Sequence, residues 1–197
     1  MTEHLLTPAE LTDVFERHMT RDFPQAELKP LDLLLNLQAR GLYYAYLFRE
    51  GEQDVGYALL VAPEGSRTVL LDYLAILPEF RCKGLGGRIL ARLQAACAPR
   101  WQALTLEVEH PAEAPDEPMA VRWLGFYARA GAVDTGWHSR VFGVHFHLLA
   151  LPCEGCAAPD ADTVVEELKA CYRLMLPGQY AQATRFWPAG QNEPGAK

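Results

Sequence analysis

One stretch constrains this chain more than any other: Leu71 to Leu90, which reads LDYLAILPEFRCKGLGGRIL. An apolar run ends at Leu77-Pro78, a basic and glycine-rich loop follows, and apolar residues then return at helical spacing. A strand that turns through glycines into a helix N-terminus gathers unpaired backbone N–H groups pointing one way, and the helix dipole adds partial positive charge there. Such a turn is suited to phosphate. Gly84 and Gly86 let the backbone approach a ligand, Gly87 keeps the first helical turn open, and Arg81 and Lys83 add charge. Two other phosphate loops are excluded by spacing. RCKGLGG lacks the Gly-Lys-Ser/Thr ending of a P-loop, and its glycines do not fall as G-x-G-x-x-G.

The flanking pattern places this loop in an α/β chain. Thr7-Pro8-Ala9-Glu10 is a capping box with proline at the first helical position, and Leu11, Val14, Phe15, His18 and Met19 fall on one helical face. A second short helix is expected from Leu31 to Gln38. Tyr43 to Phe48, Val55 to Ala62 and Thr68 to Leu77 are rich in aromatic and branched residues and are separated by EGEQD and PEGSR, which predicts three strands in a meander. After the glycine loop, Leu85, Ile89, Leu93 and Ala96 mark a helix, and Leu104 to Glu109 alternates as a strand. A proline-rich acidic loop, HPAEAPDEP, leads to a helix ending near Gly131, and two strands follow, roughly 132–138 and 141–151.

Composition removes several functions. The 197 residues suit one sizeable core with an appendage rather than two independent cores. Eighteen basic against 25 acidic residues, with no polybasic run, argue against a nucleic-acid partner. The N-terminal segment is amphipathic and lacks a basic stretch followed by a long apolar run, so the expectation is a cytoplasmic protein without membrane attachment. Five cysteines, an odd number, suit a reducing compartment. Cys153 and Cys156 have the C-x-x-C spacing of half a zinc site, and His145 and His147 lie upstream on one strand face, but no second C-x-x-C answers them. A plain turn is the expectation there, with no metal.

The strand ending in Leu74-Ala75-Ile76-Leu77-Pro78, followed by Arg81-x-x-Gly84-x-Gly86, resembles the pyrophosphate loop of the GNAT superfamily of acyl-CoA-dependent N-acyltransferases. LTLEVE resembles that family's fifth strand, and RWLGFYARAGAV resembles the helix that carries its tyrosine. The resemblance covers roughly Leu11 to Leu151. It implies a GNAT fold, with a mixed, mostly antiparallel sheet of six to seven strands flanked by helices, and acetyl-CoA as donor. The main chain of Leu74, Ala75 and Ile76 would run beside the pantetheine arm, and that of Arg81, Cys82, Lys83, Gly84, Leu85, Gly86 and Gly87 would bind the pyrophosphate. Cys82 stands where glycine or asparagine is frequent in the family.

Acyl transfer to an amine needs a base or a water relay to accept a proton and a weak acid for the departing thiolate. Tyr127 matches the family tyrosine that donates to the CoA sulfur, although Phe126 and Tyr127 also suit the core face of a helix. Glu107 matches the glutamate of the LEV pattern found in some relatives, where it is the base. Strand alternation puts Glu107 and Glu109 on one face about 7 Å apart, so either carboxylate could serve, and both also suit surface ion pairs. HPAEAPDEPMAV stands where relatives often place an asparagine, which implies a reshaped acceptor pocket.

Glu27, in the segment the family folds over the acceptor, and Asp72 and Tyr73 are candidate contacts for a small-molecule or peptide amine, though each also suits a structural role. A non-catalytic acyl-CoA-binding module is the alternative reading. Domain boundaries are expected at 1–151 for the acetyltransferase domain and 152–197 for a C-terminal helical extension. Val164, Val165, Leu168, Cys171, Tyr172 and Met175 form an apolar helical stripe there, with Asp160 or Asp162 as cap and Phe186 and Trp187 as anchors. That stripe must be covered by the chain's own core, by a second copy in a homodimer, or by serving as a lid over the acceptor site.

Overall fold

The computed structural model describes residues 1–195. Eight strands are hydrogen-bonded in the order β1-β2-β3-β4-β5-β7-β6-β8: β1 Thr2–Leu5, β2 Tyr43–Glu50, β3 Gln53–Val61, β4 Thr68–Ile76, β5 Ala103–Glu109, β6 Val133–Val141, β7 Val144–Pro152 and β8 Thr184–Pro188. The pairs β1/β2, β2/β3, β5/β7, β6/β7 and β6/β8 are antiparallel, and β4/β5 is parallel. This is the mixed, mostly antiparallel α/β fold expected, with one more strand than the upper estimate. The additions are β1 and β8, short strands at the two ends of the order, whose brief apolar alternation carries little periodic signal. The chain divides into two compact units.

The first unit comprises Met1–Glu64 and Leu71–Arg92. Its first helix, α1 (Pro8–Val14), starts at the predicted capping box: Thr7 N–H donates to Glu10 Oε2 at 2.8 Å, and Glu10 N–H returns to Thr7 Oγ1 at 3.3 Å. The helix continues through a π-helical turn, Phe15–Met19, into α2 (Thr20–Asp22). Such turns insert an extra residue and re-aim the next stretch of helix. α3 spans Leu31–Ala39 and buries Leu34 and Leu37. At Gly56 on β3 an added Cβ would lie 2.6 Å from the Ala75 carbonyl and 2.8 Å from Ile89 Cδ1. Only glycine allows β4 and the helix after the loop to approach that closely.

The second unit comprises Gly65–Leu70 and the chain from Leu93 onward. The β4/β5 ladder in it runs from Thr68–Ala103 to Leu70–Thr105. Helix α5 (Glu117–Arg129) is capped by Asp116, which accepts from Met119 N–H at 2.9 Å, so the acidic proline loop ends in a helix cap. Helix α6 (Ala161–Met175) is capped by Asp160 and buries the six predicted apolar residues of its stripe. Val164 packs with Ala103 of β5 and Ala150 of β7. Glu167 accepts from the backbone N–H groups of Arg67 and Thr68 at 2.9 and 2.7 Å. A short helix, α7 (Tyr180–Ala183), leads into β8, where Trp187 is buried opposite His138. Residues 152–195 therefore contribute both a helix and an edge strand to this unit. Among the described residues no helix is long and apolar enough to cross a membrane.

Candidate functional site

The glycine loop belongs to the first unit. After a 3-10 turn at Pro78–Phe80 the chain passes through Cys82 at φ 61° and Gly84 at φ 72°, and helix α4 begins at Leu85 and runs to Cys97. The left-handed backbone at Cys82 gives a physical reason for glycine or asparagine at that position, since both adopt it at low cost. A Cβ added at Gly84 or Gly87 would meet nothing within 4 Å. Arg81, Cys82, Lys83, Gly84 and Gly87 are exposed, Gly86 is half-buried, and Leu85 is buried and anchors the helix start. The first-turn N–H groups of α4 have no intrahelical acceptor, as at any helix start. Open space, free backbone donors and a helix dipole thus coincide, which fits a pyrophosphate.

Arg81 is held rather than loose. Its Nε donates to the Ile76 carbonyl at 3.0 Å and its guanidinium reaches Asp22 Oδ1 at 3.1 Å. Asp22, with a side chain 2% exposed, also accepts from Arg21 and from the Tyr57 hydroxyl at 3.0 Å. Burial, then the Asp22 charge, raises the Tyr57 pKa, so this phenol stays a donor. Asp22 and Tyr57 therefore position the loop. Sequence reasoning missed both, because their partner Arg81 lies 59 residues beyond Asp22. Lys83 Nζ donates to the Glu79 carbonyl at 2.9 Å.

Three predicted acceptor contacts also lie in this unit. Asp72 accepts from Lys29 Nζ and from the Tyr43 hydroxyl, both at 2.6 Å. Burial alone would lower the Lys29 pKa, but Asp72 and Tyr73 outweigh it and raise it. Tyr73 accepts from Lys29 N–H at 3.0 Å and donates to the Glu27 carbonyl at 2.7 Å, which ties down the loop between the first two predicted helices. The Glu27 side chain is on an exposed residue. Asp72, Tyr73 and Glu27 are thus brought together, with the Asp72 charge matched by Lys29.

Tyr127, Glu107 and Glu109 lie in the second unit. Tyr127 is 8% exposed on α5, with its ring stacked 5.7 Å from that of Trp123. Burial pushes its pKa up, and its hydroxyl has no hydrogen-bond partner among the described residues. It is a neutral phenol with a proton to give. Glu107 pairs with Leu148 and Glu109 with Phe146, so both carboxylates share one face of the sheet. Glu107 accepts from Ser139 Oγ at 2.7 Å through Oε1 and from the Tyr172 hydroxyl of α6 through Oε2. These contacts come from β6 and from the extension, neither of which the pattern around Glu107 could show. Glu109 makes no hydrogen bond to the described residues through its side chain.

A profile of the acetyltransferase (GNAT) domain matches residues 41–131, the span that contains β2 to α5 with the glycine loop at its centre. The chain carries a GNAT acetyltransferase domain. A protein from Bacteroides thetaiotaomicron assigned to the GNAT family is 20% identical, with a TM-score of 0.68 over 90% of this chain and 99% of that one. One from Desulfovibrio desulfuricans is 19% identical, with a TM-score of 0.58 over 77% and 98%. The spermidine N-acetyltransferase of Vibrio cholerae, solved with CoA and spermine, is 14% identical, with a TM-score of 0.58 over 78% and 95%. At these identities the likeness is one of fold. No curated protein matches the chain in sequence at a significant level.

The opposite face of the second unit holds a feature the GNAT pattern does not call for. His110, His138 and His145 bring ring nitrogens within 4.8 Å of one another, and His147 lies beside them. Cys153 and Cys156, by contrast, form a turn in which Cys156 N–H donates to the Cys153 carbonyl at 3.0 Å. Burial pushes the Cys153 thiol up to about 12, so it is a protonated packing residue at neutral pH.

Proposed function

We propose that this protein is an N-acetyltransferase that moves the acetyl group of acetyl-CoA to a primary amine by direct attack on the thioester. The observation that carries the proposal is the loop from Arg81 to Gly87, with left-handed backbone at Cys82 and Gly84, open space above Gly84 and Gly87, and a helix starting at Leu85. Its backbone N–H groups would hold the pyrophosphate, with Arg81 kept in place by Asp22. The main chain of Leu74, Ala75 and Ile76 would accompany the pantetheine.

Acetyl-CoA supplies an activated acyl carbon and a thiolate leaving group. The amine must be neutral to attack, so Glu107 accepts its proton, held in one orientation by Ser139 and Tyr172. The new C–N bond forms as the C–S bond breaks, and Tyr127 gives its phenolic proton to the sulfur. Burial keeps that phenol protonated until the C–S bond breaks. Solvent then takes the proton from Glu107 and returns one to Tyr127, which closes the cycle. Glu109 shares the face of Glu107 and is the second carboxylate that would border the acceptor amine. The Glu107 and Glu109 carboxylates favour a cationic amine, and the polyamine enzyme among the structural relatives makes spermidine a first acceptor to test. A dimer contact through a remaining apolar surface completes the proposal; exposed Trp123, Met119 and Val121 on α5 are its candidate residues.

The decisive measurement is release of free CoA thiol from acetyl-CoA in the presence of a panel of amines, from polyamines to amino acids and peptide N-termini. Thiol release that depends on one amine supports the enzyme. Binding of CoA with no release across the panel favours the acyl-CoA-binding module instead.

A further inference from the structure

Four of the six histidines of this chain sit on one face of one sheet. His145 and His147 alternate on β7, His138 of β6 pairs directly with His147, and the His110 N–H donates to the His145 carbonyl at 2.8 Å, extending the β5/β7 ladder by one residue. Strand register thus gathers imidazoles from β6, β7 and the residue after β5. Chance placement of exposed polar residues does not need such a register.

We propose that His110, His138 and His145 form a binding site for a divalent transition-metal ion, with Zn²⁺ as the expected occupant and water in the fourth position. The geometry comes first. The three donor nitrogens lie within 4.8 Å of one another, and a tetrahedral zinc with nitrogens at about 2.0–2.1 Å holds them about 3.3–3.4 Å apart. Closing that gap takes rotation of the His110 ring, which is stacked on His145.

The proton inventory points the same way. His145 Nδ1 is 2.7 Å from Glu113 Oε1, and the Glu113 carboxylate, paired with Arg140 at 3.0 Å, is an acceptor only. Nδ1 therefore carries the proton, and Nε2 of His145 presents its lone pair. That lone pair faces His138 Nδ1 at 2.6 Å. Two ring nitrogens at that spacing require a proton or a metal ion between their lone pairs. A carboxylate on the far nitrogen of a ligating histidine is the arrangement that orients imidazoles toward zinc. Arg140 in turn clamps Glu113 at 3.0 Å and Glu193 at 2.9 Å, so the orienting carboxylate is itself fixed.

His110 is stacked on His145 at 4.3 Å and accepts from Ala112 N–H at 3.2 Å through Nδ1. On ligation its ring turns and gives up that contact. His110 and His138 are half-exposed, which leaves an approach for the ion. His147 walls the site, its Nδ1 buried and 3.8 Å from Asp134 Oδ2, beyond hydrogen-bonding distance. Cys153 and Cys156 are not part of this set. The ion ties the end of β5 to the β6–β7 hairpin and stabilises the unit by linkage.

The test uses the full chain, stripped with a chelator, dialysed and titrated with ZnCl₂ by calorimetry. One ion per chain is expected, with a melting temperature that climbs with zinc and a visible absorption band when Co²⁺ replaces it. His110→Ala, at a half-exposed position, and Glu113→Gln should each weaken binding, the latter by roughly 10–100-fold. Circular dichroism checks that both variants fold, and Cys153→Ser with Cys156→Ser should bind zinc as the wild type does. Equal affinity in the wild type, His110→Ala and Glu113→Gln overturns the site, as does binding lost only with the cysteines or absent from the wild type.

Discussion

Each compact unit gathers polar side chains on its part of the sheet, and the two groups differ in whether they complete themselves. In the first unit Asp72 takes one donor on each oxygen, from Lys29 and Tyr43, and Tyr73 both accepts from Lys29 N–H and donates to the Glu27 carbonyl. Charge and hydrogen bonds balance. In the second unit His110, His138 and His145 bring ring nitrogens within 4.8 Å of one another, and a carboxylate, that of Glu113, lies on the outer nitrogen of His145. The first group is architecture, because it needs nothing from outside. The second holds two facing ring nitrogens, on His138 and His145, that need a proton or a cation between them. The glycine loop and the Tyr127 hydroxyl have open space or no partner among the described residues, and the Ser139 and Tyr172 hydroxyls on Glu107 are neutral donors that, unlike Lys29 on Asp72, leave its carboxylate able to take a proton.

If open groups are functional and closed groups structural, substitution should move different observables in each. The largest effect is expected at Tyr127. Tyr127→Phe removes a hydroxyl and little volume, so turnover in the thiol-release assay should fall by roughly ten- to a thousandfold, with CoA binding and melting temperature nearly unchanged. Full turnover in the variant breaks the comparison at its clearest point. Glu107→Gln should lower turnover most at low pH, where the amine is protonated, with Glu109→Gln as its control.

Gly84→Asp comes next. A carboxylate beside the pyrophosphate should abolish the rise in melting temperature that acetyl-CoA produces, while the apo protein stays folded because aspartate tolerates left-handed backbone. Gly84→Asn separates charge from conformation and should keep part of the shift. An intact shift in Gly84→Asp removes the loop from the site.

The closed group should respond in stability instead. Lys29→Met leaves Asp72, whose side chain is 5% exposed, with Tyr43 alone, and should cost about 3 kcal/mol in urea unfolding. Adding Asp72→Asn should return much of that loss, since no uncompensated charge then remains. His110→Ala in metal-free protein should cost under about 1 kcal/mol, because no complete network is broken. Similar losses at both positions would erase the distinction.

The smallest effect is a pH dependence. His138 is held at about 4 in the folded protein, below its usual 6.5, so between those values the unfolded chain binds the extra proton. Its contribution is full above pH 6.5 and is lost as pH falls toward 4. Unfolding measured across that window should show stability rising with pH in the metal-free protein, with a shallower slope in His138→Asn. An unchanged slope sinks the assignment.

Local order was legible where the needed signal sits within one turn or one strand. The capping box at Thr7, the glycine loop, and the apolar stripe of α6 are read from neighbours in the chain, because backbone geometry fixes which of them share a face. The same rule placed Glu107 and Glu109 together, and His145 with His147. It did not reach β1 and β8, whose pairing partners are distant in sequence. Nor did it reach the Asp22 clamp on Arg81 or the hydroxyl that Tyr172 brings to Glu107, 65 residues away.

The amino-acid sequence alone determined the α/β fold class and the glycine loop before α4, since both follow from periodicity and from glycine's conformational freedom. The tertiary structure alone decided which charges are spent and which remain available. Lys29 cancels Asp72 across 43 residues, and His110 meets His138 and His145 through strand register. Partner distances of a few ångströms set such energies, and separation along the chain carries almost no information about them.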